Sequence, residues 1–112
     1  MTRIDATSLY GTLNLLILKT LESGPRHGLD VAREIRGQTS DVLRIEEGAL
    51  YPALHRLERD GLVEAEWGVS ERGRRAKYYT LTRKGRRRLE RERERWVEHT
   101  RAVATLLEVT WG

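Results

Sequence analysis

The segment Glu47-Gly-Ala-Leu-Tyr-Pro-Ala-Leu-His-Arg-Leu-Glu-Arg-Asp-Gly61 limits what this chain can fold into more than any other. Leu50, Leu54 and Leu57 recur at i, i+4 and i+7 and therefore share one face of a helix. Gly48, Pro52, His55 and Arg59 point the opposite way, flanked by Tyr51 and Arg56. This outward face starts small, carries an aromatic hydroxyl and becomes basic, so it can lie in a major groove with its N-terminal half near base edges. Gly61 follows as a C′ glycine that ends the helix. Beyond it, Val63, Ala65 and Trp67 alternate with Glu64 and Glu66, the pattern of a half-buried strand. Lys77 to Leu81 is its expected partner, and residues 68–76 form a mobile tip between them. A helix followed directly by such a hairpin is the arrangement of a winged helix-turn-helix.

Charge distribution sharpens this expectation. Residues 72–88 contain Arg72, Arg74, Arg75, Lys77, Arg83, Lys84, Arg86, Arg87 and Arg88 and no acidic residue. Residues 1–71 carry a net charge of −4 and residues 89–112 a net charge of −1, so the overall +4 comes from one localised patch. Such a patch repels itself unless a polyanion or solvent compensates it, and a phosphate backbone is the commonest polyanion.

The flanking segments are helical in pattern. Thr7 or Ser8 can cap a first helix whose Leu9, Leu13, Leu16, Ile17 and Leu21 form a stripe, stopped by Gly24-Pro25. Leu15 and Leu18 widen that stripe, which suits either a central core helix or a dimer contact. A short helix follows from about Gly28 to Arg36 with Leu29, Ala32 and Ile35 inward. Gly37 to Asp41 forms its turn, and Val42 to Ile45 is a brief extended segment. Pro52 is tolerable if the third helix begins near Glu46 to Gly48, because the first N–H groups of a helix lack internal partners. Thr82 caps a long fourth helix with Leu89, Trp96 and Val103 at heptad spacing and Thr100 and Leu107 on the alternate seam. The expected class is mainly α with a small β-hairpin: a winged helix-turn-helix over residues 1–82 and a C-terminal dimerisation helix over residues 83–112. With 34% charged and 38% hydrophobic residues, a chain of 112 residues buries a limited core alone, and pairing through an apolar helix face adds buried area.

Four blocks resemble the PadR family of bacterial transcriptional regulators. They are Leu21-x-x-Gly24-Pro25-Arg26-His27-Gly28-Leu29; Glu47-Gly48-Ala49-Leu50-Tyr51-Pro52-Ala53-Leu54-x-Arg56-Leu57-Glu58; Gly61-Leu62-Val63 through Trp67; and Gly73-Arg74-Arg75-x-Lys77-Tyr78-Tyr79-x-Leu81-Thr82-x-x-Gly85. One helix after the wing is similar to the family's short-tailed branch. The resemblance implies a homodimer with an N-terminal winged-helix domain that binds double-stranded DNA. It also implies repression of a nearby operator, relieved by a small molecule or another input, and a cytoplasmic bacterial protein that joins the nucleoid when bound to DNA. The family often has Tyr where Leu29 stands and Thr or Ser where Ala49 stands.

The expected DNA-binding residues are Gly48, Ala49, Tyr51, Pro52, His55, Arg56 and Arg59 on the third helix, with Arg72, Arg74, Arg75 and Lys77 on the wing. The cluster Arg83 to Arg88 either touches DNA or is a solvated surface run. The expected dimer interface comprises Leu9, Leu13, Leu89, Trp96, Val103, Leu106 and Leu107. Trp96 is either a dimer-core aromatic or one wall of a pocket for a small planar aromatic effector.

Other function classes fare worse. The chain has no Cys, which removes disulfides, thiolate metal sites and thiol nucleophiles. Its three histidines, His27, His55 and His99, show no metal-ligand spacing, so neither a metal nor another cofactor is expected. Ser8, Ser23, Ser40 and Ser70 sit in no nucleophile motif and no Gly-rich phosphate loop is present, so an enzyme is not expected. No apolar run reaches the length of a membrane span, and the N-terminus lacks a signal-peptide pattern. The alternative to a DNA-binding regulator is a winged helix that binds protein, its basic patch serving solubility.

Overall fold

The computed structural model describes residues 2–4 and 12–110. Strand β1 (Thr2–Ile4) precedes helix α1 (Thr12–Thr20), which tightens into a 3-10 turn at Leu21–Ser23. Strand β2 (Arg26–His27) leads into α2 (Gly28–Gln38), then β3 (Leu43–Ile45) and α3 (Glu47–Arg59). The hairpin β4 (Val63–Val69) and β5 (Arg75–Leu81) follows, and α4 (Arg83–Leu107) completes the chain. The fold is mainly helical with a small sheet, a winged helix-turn-helix from which one long helix projects. The proposed first-helix cap at Thr7 or Ser8, and Leu9, lie outside the described residues.

The core is assembled from helix stripes at helical spacing. Leu13, Ile17, Leu18 and Leu21 meet Val31 and Ile35 of α2, and Leu50, Ala53, Leu54 and Leu57 of α3. The hairpin closes this cluster with Leu62, Val63, Tyr79 and Leu81, and α4 adds Leu89. Leu29 departs from expectation: it is exposed, because Gly28, Val31 and Ile35 form the buried stripe of α2 and Leu29 lies about 200° around the wheel from Val31. Helix α2 also runs two residues beyond Arg36, and its end is tied by Thr39, whose Oγ1 donates to the Ile35 carbonyl at 2.8 Å and accepts from the Leu43 N–H at 3.1 Å.

The sheet is larger than the hairpin alone. Strand β2 pairs antiparallel with β5, Arg26 opposite Tyr79 and His27 opposite Tyr78, giving the order β2-β5-β4. The extended segment before α3 is the strand β3, paired in parallel with β1. The hairpin ladder runs from Val63–Leu81 out to Val69–Arg75, so the loop at its tip is residues 70–74, shorter than the nine residues expected. Ser70 accepts the Gly73 N–H on its carbonyl at 2.8 Å, and Gly73 has φ +74°. A turn followed by a left-handed glycine is a common way to close a hairpin.

The end of α3 and the start of α4 interlock. Gly61 (φ +75°) donates to the Glu58 carbonyl and Leu62 donates to the Leu57 carbonyl, the two bonds of a Schellman cap. The Leu62 carbonyl accepts the Thr82 N–H at 3.1 Å, and the Thr82 hydroxyl donates to the Gly61 carbonyl at 2.7 Å while accepting the Gly85 N–H at 3.0 Å. Lys84 adds a bond from Nζ to the Asp60 carbonyl at 2.7 Å. Gly85 is required by proximity: a Cβ there would stand 2.1 Å from the Leu62 carbonyl oxygen. Farther along α4, Arg93 reaches Glu22 at 3.2 Å and pins the helix to the end of α1.

These contacts separate two glycines by consequence. Gly85→Ala is expected to destabilise the fold at or beyond the upper end of the about 1–3 kcal/mol typical of overpacking. Gly37→Ala, inside α2 with open space at its Cβ position, is expected to stabilise by about 0.4–1 kcal/mol. Urea unfolding of both variants checks the opposite signs.

Candidate nucleic-acid interface

Helix α3 divides cleanly into two faces. Ala49, Leu50, Ala53, Leu54 and Leu57 are buried, whereas Gly48, Tyr51, Pro52, His55 and Arg59 are exposed and Arg56 is half-buried. Ala49 therefore belongs to the core at 5% exposure, and its side chain is not on the outward face expected for it. Its position, one residue before Leu50, brings it onto the edge of the buried stripe.

Pro52 sits deeper in α3 than the expected rationale allows. The N–H groups of Ala49 and Leu50 both already bond to the Glu46 carbonyl. Pro52 thus lies beyond the free N–H groups and removes a bond that would otherwise run to the Gly48 carbonyl. Gly48 and Pro52 are both exposed, so water can serve that carbonyl.

Tyr51 is 43% exposed and leans across the start of α2. A Cβ on Gly28 would meet its Cε1 at 2.8 Å and its hydroxyl at 3.3 Å, so the glycine leaves room for the ring. Beside it His27 caps α2, its Nδ1 accepting the Asp30 N–H at 3.2 Å, and packs edge-on against Tyr78 with ring centroids 5.5 Å apart. Arg26 is committed internally: it donates to the Thr20 carbonyl at 3.0 Å and pairs with Asp30 at 3.1 Å and Glu34 at 3.4 Å.

The wing residues separate by role. Among the described residues Arg72, Arg74 and Arg75 have no carboxylate partner, and all three are exposed. Lys77 differs: its Nζ pairs with Glu58 of α3 at 3.1 Å and stands 5.6 Å over the Tyr79 ring. The hydrogen bond to Glu58 raises the Lys77 pKa above the usual lysine value. A raised lysine contributes stability below its unfolded pKa and loses it only as pH climbs through the folded value, so the contact persists at neutral pH. Lys77 thus braces the hairpin against α3 rather than standing free with the arginines.

Two features of the interface escaped the sequence pattern. The Gly28–Tyr51 contact joins segments with no shared periodicity. Trp67, on the inward side of a strand expected to be half-buried, is 57% exposed because β4 runs past the end of the core, and the Arg75 guanidinium lies 4.5 Å from its ring centroid. The Arg83, Lys84, Arg86 and Arg87 side chains are exposed at the start of α4, with Arg88 half-buried.

Residues 17–91 match the Transcriptional regulator PadR-like family. The chain belongs to that family. It is 43% identical over 91 residues to the transcriptional regulator Rv3488 of Mycobacterium tuberculosis, covering 81% of each protein. A PadR family transcription regulator from Clostridium difficile superposes with a TM-score of 0.75 at 29% identity, over 87% of this chain and 99% of that one. A transcriptional regulator from Clostridium thermocellum superposes at 0.77 with 27% identity, over 85% and 92%. This PadR protein is therefore a DNA-binding transcriptional regulator and not an enzyme. Among its described residues no three His, Cys, Asp or Glu side chains are grouped to hold a metal, and no helix is long and apolar enough to cross a membrane.

The brace can be tested without DNA. Glu58→Gln and Lys77→Met are each expected to lower the midpoint of thermal unfolding, and the double variant to lie no lower than the worse single one. Additive losses in the melting curves would show that the two side chains do not act on each other.

Proposed function

We propose that this regulator is a homodimeric, sequence-specific repressor that reads operator DNA with the outward face of α3 and the arginines of the wing. The observation that carries it is the pairing of a half-exposed helix face with Arg72, Arg74 and Arg75, cations that have no carboxylate partner among the described residues. Tyr51 and His55 are the residues placed to read bases. Gly48 and Pro52 permit close approach, and Arg56 and Arg59 position the backbone. Ala49 contributes to packing. Lys77 acts through Glu58.

The apolar end of α4 supports pairing. Trp96, Val103, Leu106 and Leu107 are 36%, 40%, 84% and 65% exposed, more apolar surface than a helix lying free in water favours. Leu13 and Leu89, expected at the same interface, are buried in the chain's own core at 5% and 1% and leave it. Burying each of the remaining side chains favours association by about 1.5–3 kcal/mol before entropic costs. A two-fold dimer sets two α3 helices on successive major grooves of a roughly palindromic site. Trp96, near the dyad of such a dimer, is placed to take a planar aromatic effector that relieves repression.

Footprinting on the DNA upstream of the chain's own gene, with and without planar aromatic compounds, tests the reading; no protected site would remove the operator. In salt titrations of duplex binding, Arg74→Ala with Arg75→Ala is expected to lower the log–log slope by about 1 per lost phosphate contact. An unchanged slope with unchanged affinity would take the wing out of the interface. Leu106→Glu with Leu107→Glu is expected to convert a dimer at micromolar concentration into a monomer in sedimentation velocity. A parent protein that already sediments as a monomer would overturn the dimer.

A further inference from the structure

Val63, Ala65, Trp67 and Val69 alternate along β4 and share one side of the hairpin. Their exposure climbs outward: Val63 is 1% exposed, Ala65 half-buried, Trp67 57% and Val69 70%. A strand that outruns its core ordinarily turns polar on that side, because an exposed indole forfeits the burial that a large aromatic offers. Here the strand ends instead in an indole and an isopropyl group beside a cation. The Arg75 guanidinium lies 4.5 Å from the Trp67 ring centroid, on the neighbouring strand opposite Val69. Lys77, directly opposite Trp67, does not compete for the ring, since it is held by Glu58 and stands over Tyr79.

We propose that Trp67 is a positioning residue for DNA binding: its indole holds the Arg75 guanidinium so that the pair takes one phosphodiester of the duplex, with the adjoining deoxyribose against the indole and Val69. This rests on the DNA reading of the wing given above. A guanidinium held over an indole meets the ring through its charge and does not use up its N–H donors, which can still receive phosphate oxygens. No carboxylate among the described residues occupies those donors. Charge favours DNA as the occupant, because Arg72 and Arg74 flank the pair at the tip and would extend the contact along the same backbone. The ordering of Arg75 adds to its charge, since a long side chain fixed before binding loses less freedom when it binds.

The test is a double-mutant cycle on the full chain with duplex DNA from the footprinted region. Trp67→Leu is expected to weaken binding about three- to tenfold, the scale of a lost cation–π contact and a loosened phosphate bond. Trp67→Phe, which keeps an aromatic face, should restore most of that loss. In an Arg75→Ala background, Trp67→Leu should cost little more, because the group it positions is gone. Thermal unfolding of each variant should stay near the parent, since the side chain is mostly exposed; a general stability defect would act equally in both backgrounds. Parent-strength binding by Trp67→Leu, or equal losses with and without Arg75, would overturn the assignment while leaving the DNA reading of the wing intact. A parent that binds no duplex overturns both.

Discussion

The Leu62 carbonyl and the backbone of Gly85 approach so closely that no side chain fits between them, and the rest of the architecture is arranged around that contact. The carbonyl belongs to the residue that completes the cap of α3, and it accepts the N–H of Thr82, the residue that caps α4. One carbonyl thus connects the end of α3 to the start of the projecting helix, across the base of the hairpin. The neighbours reinforce it: Thr82 bonds on both sides, and Lys84 reaches the Asp60 carbonyl. The wing emerges from a base in which Asp60, Gly61, Leu62 and Thr82 are each held by hydrogen bonds, and its strands run outward from there to Arg75.

Around this base, charge is divided between internal braces and outward groups. Arg26, Lys77 and Arg93 are spent on Asp30 and Glu34, on Glu58 and on Glu22, holding α2, the hairpin and α4 in place. Glu22 has its pKa lowered by the hydrogen bond from Lys19, with Arg93 and the lysine charge assisting against burial. A depressed carboxyl contributes stability above its unfolded pKa and loses it as pH falls through the folded value, so the α1–α4 tie fades only in acid. Burial pushes the Tyr79 phenol up, so the ring that underlies Lys77 stays neutral at physiological pH. The brace and the tie are thus both fully formed near neutrality, while the outward arginines stand exposed to screening by salt.

Much of this was legible in the sequence where periodicity and capping act locally. The stripe of α3, the C′ glycine Gly61, the Thr82 cap and the hairpin all follow from spacing within one segment. Misplaced residues share a different cause. Leu29 and Ala49 lie at stripe boundaries, where one step of the wheel decides between core and surface and only the packed neighbours settle it. Leu89 fits a heptad equally well whether its partner is a second helix or the chain's own core, and the core claimed it. Strands β1 and β2 have too few residues to show a period, and their pairing is fixed by partners distant in sequence. The candidate interface was legible in composition, as a run of cations, but not in allocation. Lys77 and Arg75 look alike in sequence, and only the positions of Glu58 and Trp67 separate a brace from an outward cation.

The unbroken run of α4 has a mechanical consequence. Its root is clamped at Gly85, whereas its far end extends to Leu107 with little of its surface against the rest of the chain. At 1.5 Å per residue, a tilt of about 5° at the root displaces Leu107 by about 3 Å. The helix is therefore a lever with its fulcrum beside the cap of α3, and the Glu22–Arg93 pair lies partway along the arm as a stay. The Leu62, Thr82 and Lys84 bonds that hold this root also end on the cap of α3, so any tilt of the long helix would act first on the junction it shares with the helix carrying Tyr51 and His55.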